Sequence, residues 1–199
     1  VCRVPGTIRE ASASLGDIAI ARKPTPPEKI PTVIDAPALD DHLAVMSRAI
    51  FQAGLNWAII TARWERFVEA FDGFAVERVA EYGDFDVERL METEGIVHSR
   101  GKIAGTIANA RALLAIVAEF GSVSAYVRGF PSYAALFADA HARFAYLGDL
   151  SCYYWLFRTG EPVPPFERWM EGQERDHPRM REMVTLARDA GLSSEDPGR

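Results

Sequence analysis

Only two cysteines occur among the 199 residues, Cys2 near the N-terminus and Cys152 inside a hydrophobic stretch. The disulfide framework of a small secreted domain needs more cysteines at closer spacing. Both thiols are therefore expected to be reduced, and Cys152, flanked by Leu150, Tyr153 and Trp155, is read as a small buried hydrophobe rather than a nucleophile. Neither a C-x-x-C nor an H-E-x-x-H spacing occurs. Basic charge is in short supply too, with 22 Lys and Arg against 28 Asp and Glu and a net charge of -6. That balance excludes a broadly electropositive surface, so any contact with nucleic acid has to be local. No apolar run approaches the roughly 20 residues needed to span a bilayer. Residues 1–10 lack the apolar region of a secretory signal. The expectation is a soluble, cytoplasmic protein without a membrane segment. Period-two apolar alternation and internal repeats are missing as well, which leaves an all-α fold.

What the chain does contain is helical periodicity, with 48% hydrophobic residues, enough for one core of ordinary size. Pro24, Pro26, Pro27, Pro31 and Pro37 oppose regular structure, so residues 1–38 read as an extended arm. Leu43, Met46, Ile50 and Ala53 then recur at helical spacing behind the candidate caps Asp40 and Asp41, up to Gly54. Trp57, Ile60, Trp64, Phe67 and Phe71 form one apolar stripe, opposite Arg63, Glu65, Arg66 and Glu69. A short helix opening at Asp84 or Asp86 closes at Gly95. A longer one carries Ile103, Ile107, Ala110, Leu114 and Val117. Ser132 caps a segment with Tyr133, Leu136, Phe137, Ala140 and Phe144 on one side. The aromatic run from Gly148 to Phe157 reads as a buried helix stopped by Pro162, Pro164 and Pro165. Residues 39–165 are thus expected to form the main helical domain. Residues 166–199 are expected to add one amphipathic helix, through Met180, Val184 and Ala187, and a polar, frayed tail from Ser193.

The run Phe51-Gln-Ala-Gly-Leu-Asn-Trp57 is followed by Arg63-Trp-Glu-Arg-Phe67 and Ala70-Phe71. Asp86-Val-Glu-Arg-Leu90, Gly95-Ile96, Arg100-Gly-Lys-Ile103 and Asn109-Ala-Arg111 follow in turn. In order and spacing these segments, within residues 43–160, resemble the 3-methyladenine DNA glycosylase I family. The resemblance implies a helix-hairpin-helix DNA glycosylase fold. It also implies base-excision repair, in which an alkylated, cationic purine is flipped out of damaged double-stranded DNA and its glycosidic bond is hydrolysed. Trp57 matches the family's pocket tryptophan; it is expected to stack on the base, although it also begins the apolar stripe and serves equally as a packing residue. Gln52 is a further base-binding candidate. Gly54 and Leu55 are expected to lie against DNA, with Leu55 filling the gap left by the flipped base. The hairpin is expected at Tyr146-Leu-Gly-Asp149, where Leu147 and Gly148 would meet phosphate at a helix N-terminus. Asp149 would disturb this by capping the helix itself. Arg100, Lys102 and Arg111 are the compact basic group, either phosphate contacts or a solvated turn.

The chain also departs from the family. Ala49 stands at the position of its pocket glutamate, and a methyl group cannot balance a cationic base. The catalytic residue is thus unassigned; Glu161 and Glu167 are distant candidates. Valine and proline at 163–165 offer no catalytic aspartate. The family's zinc site needs two cysteines and two histidines. Cys2 matches only loosely and no cysteine follows His177, so neither a metal nor another cofactor is expected. His42, His98 and His141 read as surface or helix-face residues. The alternatives are a catalytically silent descendant that binds DNA or protein, and a helical domain holding an unrelated small ligand.

Overall fold

The computed structural model describes residues 33–55 and 57–199, and among these every regular element is helical. Most of the expected N-terminal arm, with Cys2, lies outside the described residues. Its last part, residues 33–38, is non-helical and is tied to the body by the Ile34 N–H donating to the Arg158 carbonyl at 2.8 Å.

The first helix, α1 (Leu39–Gln52), buries Leu43, Met46, Ile50 and Phe51. Its cap is not Asp40 or Asp41 but Ala38, whose N–H donates to the Asp41 carboxylate at 2.9 Å from within the first turn. Asp40 serves a different helix: its carboxylate accepts the Val76 N–H at 2.8 Å, at the start of α4 (Val76–Ala80). A short aspartate can meet orphan amides of either its own or a neighbouring helix start, and sequence alone does not say which.

The stripe from Trp57 to Phe71 is broken into α2 (Trp57–Ala62) and α3 (Trp64–Ala70), because Arg63 adopts φ -111° and ψ 6°. A single 3-10 turn, Asp72–Phe74, follows. The break leaves Ile60, Phe67 and Phe71 fully buried while Trp57 and Trp64 stay half-buried. Then come α5 (Asp84–Glu92), α6 (Arg100–Phe120), α7 (Val123–Arg128) and α8 (Tyr133–Arg143). As expected, Ser132 caps α8, accepting the Ala135 N–H at 3.3 Å. The short helices α4 and α7 escaped the periodicity reading because neither is long enough to repeat a stripe.

α6 packs against α1, α4, α5 and α7, and α1 also packs on α9 (Asp149–Arg158). By length and composition α6 is apolar enough to cross a bilayer, contrary to the expectation that no such run exists. A helix surrounded by others in a core passes the same test.

Beyond the prolines, α10 (Phe166–Met170) and α11 (Pro178–Asp189) pack into the same continuous core through Phe166, Trp169, Met180, Met183, Val184 and Ala187. The tail expected to fray is tied down. Val163 and Glu195 form an isolated parallel bridge, Asp196 N–H donates to the Val163 carbonyl at 2.7 Å, and Arg199 donates to the carbonyls of Val127 and Phe130. These last carbonyls lie at and just beyond the C-terminal turn of α7, where a guanidinium is favoured.

Candidate functional site

The turn between α1 and α2 is set by Gly54, whose φ of +76° suits a residue without Cβ, with open space around it. Leu55, on the same turn, is 44% exposed, and Ile59 on the next helix is 51% exposed. Ile59 was not anticipated, since it stands on the face opposite the apolar stripe. Lys102 Nζ donates to the Ala53 carbonyl at 2.7 Å and so fastens this turn to α6; partial burial lowers the lysine's pKa.

Gln52 differs from its expected place at the surface. It is 3% exposed and its Oε1 has no partner among the described residues, because the α1 register turns it into the core while the turn begins one residue later. Gln52 therefore does not reach DNA as it stands. Ala49 is also buried, and its methyl group joins the core cluster.

Trp57 is half-buried, with its ring edge-to-face against Tyr154 at a centroid distance of 6.0 Å. The Tyr154 hydroxyl accepts a hydrogen bond from Arg158 Nη1 at 2.9 Å. One side of the indole opens onto a cavity of about 320 Å³ lined by Trp57, Leu150 and residues 176–180. That volume is at the lower end of the range for small-molecule pockets, about 300–1,000 Å³. A carboxylate does line it: Asp176, which sequence reasoning passed over because it lies in the C-terminal segment beyond the resemblance. Asp176 accepts from Arg181 Nη2 and from the His177 N–H, both at 2.9 Å, and the arginine holds its carboxyl below the usual range. Arg179 lines the same cavity.

Glu161 and Glu167 are elsewhere. Glu161 is buried and accepts from Ser124 at 3.3 Å, and burial raises its pKa. It lines a larger, separate cavity of about 870 Å³, together with His42 and residues 33–37 and 191–194. Size alone would favour that cavity, but Trp57 does not line it. Glu167 is paired with Arg188, which holds its carboxyl down to about 2.

The hairpin lies at residues 145–148 and is clamped from three sides. Asn109, fully buried on α6, holds Ala145 at both ends: its Nδ2 donates to the Ala145 carbonyl at 3.1 Å, and its Oδ1 accepts the Ala145 N–H at 2.7 Å. His141 Nδ1 bonds the Leu147 carbonyl at 2.7 Å, so that ring carries a proton on Nδ1 when neutral. Tyr146, at φ +59°, lays its ring over Gly105 and its hydroxyl over Gly101. A Cβ at Gly105 would come within 2.7 Å of the ring, and one at Gly101 within 2.5 Å of the hydroxyl. The two α6 glycines therefore set how closely the hairpin approaches the helix.

Leu147 is 2% exposed, so its side chain is an anchor in the core and not a DNA contact. Gly148 is exposed and is the N-cap of α9. Asp149 does not cap the helix as expected. Its carboxylate is drawn aside by three side-chain donors: the Tyr133 hydroxyl at 2.5 Å, Trp169 Nε1 at 3.1 Å and Gln173 Nε2 at 2.6 Å. The first-turn amides of Asp149, Leu150 and Ser151 consequently donate to no group among the described residues, as an anion site at a helix start requires.

The basic group is more engaged than its sequence implied. Arg100 pairs with Glu88 at 2.8 Å, and Arg111 donates to the carbonyls of Ala80 and Tyr82, both at 2.8 Å. Both bind the protein itself, where open phosphate contacts were one of the two expectations. Among the histidines, His98 bonds the Thr93 carbonyl from an exposed position. His42, read as a surface or helix-face residue, stands on the inner face of α1 and is 4% exposed; its Nδ1 accepts Trp155 Nε1–H at 3.0 Å, and burial brings its pKa down to about 4. Cys152 is buried, with its thiol pushed up to about 12 by desolvation, which suits a core residue and not a nucleophile.

The sequence model of the family described as Methyladenine glycosylase matches residues 39–146, more than half of the chain and the whole stretch from α1 to the hairpin. The chain belongs to that family. It is 43% identical over 63 residues to DNA-3-methyladenine glycosylase 1 of Escherichia coli strain K12, and 32% identical over 65 residues to the DNA-3-methyladenine glycosylase of Haemophilus influenzae. These alignments cover 32% and 33% of this chain and 34% and 35% of the relatives, so each spans about a third of the curated relative's length. A structure of 3-methyladenine DNA glycosylase I from Staphylococcus aureus, described for its 3-methyladenine recognition, superposes with a TM-score of 0.52 at 29% identity. It covers 63% of this chain and 76% of that one. The all-α glycosylase fold of this family member is thereby established, and residues 147–199 lie outside the stretch that the family model matches.

Proposed function

We propose that this protein is a DNA glycosylase of base-excision repair that removes an alkylated, cationic purine such as 3-methyladenine from duplex DNA after flipping it into the Trp57 cavity. One observation carries this reading: a half-buried indole opens onto a cavity of about 320 Å³ beside an exposed Leu55 turn. In this reading the everted base stacks on Trp57, which an electron-rich indole favours by about 0.5–2 kcal/mol for a cation. Leu55, exposed on the turn before Trp57, fills the space left in the duplex. The open amides at the start of α9 bind a backbone phosphate.

Alkylation at N3 makes the base a good leaving group. Water adds to C1′ while the C1′–N9 bond breaks; its electron pair goes to the base, neutralising the alkylated ring, and the water proton passes to solvent. Little acid catalysis is required of the protein, which is compatible with a methyl group at Ala49. The test is release of free 3-methyladenine from alkylated duplex by the full chain and by Trp57→Ala. Release above background by the wild type, reduced at least about tenfold in the variant, supports the assignment. Equal release by both proteins, or none by either, would sink it.

A second reading, a catalytically silent descendant that binds DNA or protein, is favoured by Ala49, which puts a methyl group where the family has its pocket carboxylate. It is distinguished by salt-dependent binding to duplex holding an abasic-site mimic without any base release.

A further inference from the structure

We infer that a base resting on Trp57 is clamped on its other face by His177, so that the C-terminal segment sets which base the cavity admits; this rests on the glycosylase reading above. Trp57 and His177 are the two aromatic rings among the described residues lining the cavity, and they come from opposite ends of the chain. The His177 ring is fixed in orientation. It packs on Trp169 at a centroid distance of 5.6 Å and an interplanar angle of 32°. Trp169 in turn donates through Nε1 to Asp149, the residue before the cavity-lining Leu150. Gln173 donates to the other oxygen of the same carboxylate.

The rest of the wall is equally built. Pro178 occupies the first turn of α11, where its fixed φ is already helical, and Met180 is buried beneath it. Asp176 closes the turn by accepting the His177 N–H. Trp57 has its ring contact with Tyr154 and His177 with Trp169, and both side chains border the same cavity. A planar heterocycle is the chemical class that satisfies two such faces, since stacked rings are attractive over centroid separations of about 4.5–7 Å. Asp149 acts here as a positioning residue, because it holds Trp169, and through it His177, against the first turn of α9.

The experiment titrates the full chain with free 3-methyladenine by calorimetry and compares wild type with His177→Ala, His177→Phe and Trp57→Ala. The clamp predicts that His177→Ala weakens binding about tenfold, that His177→Phe stays within about threefold of wild type, and that Trp57→Ala abolishes binding. Urea midpoints of the variants report whether the fold is intact. Binding unchanged in a folded His177→Ala but lost in Trp57→Ala overturns the clamp and leaves the glycosylase reading standing. If the wild type neither binds the free base nor releases it from DNA, the glycosylase reading falls and the clamp falls with it.

Discussion

The carboxylate of Asp149 accepts the side-chain amide of Gln173 at 2.6 Å, and this bond ties the hairpin helix to the segment that follows the proline stop. Tyr133 and Trp169 complete the set of donors on the same group. A carboxylate with three donors is worth more than a neutral acceptor, and removing it strands Trp169 and Gln173 while leaving the Tyr133 hydroxyl only its longer bond to the residue-149 carbonyl at 3.2 Å. Asp149→Ala is therefore expected to destabilise the protein by about 2–4 kcal/mol in urea unfolding, whereas Gln173→Ala costs about 1 kcal/mol. Equal, small effects would mean that the cluster is peripheral.

Asn109→Ala tests the hairpin clamp from the other side. The variant loses two bonds to Ala145 and leaves the Ala145 N–H without its acceptor in a part-buried position. A loss of about 2–3 kcal/mol is expected in stability. Affinity for duplex with an abasic-site mimic should also fall, because the α9 amides are no longer held against the turn. Weakened folding with unchanged DNA affinity would show that the hairpin does not meet the phosphate backbone.

The placement of Asp149 illustrates what was legible in the sequence. Stripes such as Ile103, Ile107 and Ala110, the Ser132 cap and the proline stop could be read because each depends on residues within one or two helical turns. Trp57 at the head of α2 could be named because its neighbours Gly54 and Leu55 travel with it. The partners of Asp149 could not, as Tyr133, Trp169 and Gln173 reach it from three other segments. The same holds for Asp40, which caps α4 across 36 positions. Gln52 was misjudged by a rotation of one residue at the end of α1, and the reading of His42 as a surface or helix-face residue left open which of the two holds, since the donor that Trp155 supplies inside lies 113 positions away. The cavity wall at 176–180 belongs to a segment with no counterpart in the matched stretch.

His42 gives a pH dependence with a definite sign. Its pKa is lowered from 6.5 to about 4 by desolvation, partly offset by Asp41. Between these values the unfolded chain binds a proton that the folded protein excludes. The contribution is complete above pH 6.5, declines as pH falls from 6.5 to about 4, and levels off below, amounting to roughly 3 kcal/mol. His42→Gln keeps an acceptor for Trp155 Nε1–H without titrating. Glu167, held down to about 2, titrates only lower in pH, and the raised Glu161 carboxyl acts in the opposite sense, adding stability as pH falls. Urea unfolding at pH 7 and pH 4.5 should thus show a large loss of stability in the wild type and a much smaller one in the variant; parallel losses would exclude His42 as the cause.

Gly105 sets the closeness of the hairpin through Tyr146, and two opposing effects decide what an alanine does there. Helix propensity favours alanine over glycine by about 1 kcal/mol in the middle of a helix. Against this, the new methyl group would lie 2.7 and 2.9 Å from Tyr146 ring carbons and 3.4 Å from Ala145 Cβ, and overpacking of that kind costs about 1–3 kcal/mol. Because the contact is with the ring and not with its flexible tip, overpacking wins, and Gly105→Ala is expected to be net destabilising by about 1 kcal/mol. In a Tyr146→Ala background the obstruction is gone and only propensity remains, so the same substitution should become stabilising by up to about 1 kcal/mol. Gly101→Ala should behave differently, because its methyl group meets only the hydroxyl of Tyr146. Tyr146→Phe alone should suffice to relieve it. A double-mutant cycle by urea unfolding reads all of these. The decisive quantity is the change of sign at Gly105, and if alanine there has the same effect with and without the Tyr146 ring, the glycine notch does not position the hairpin.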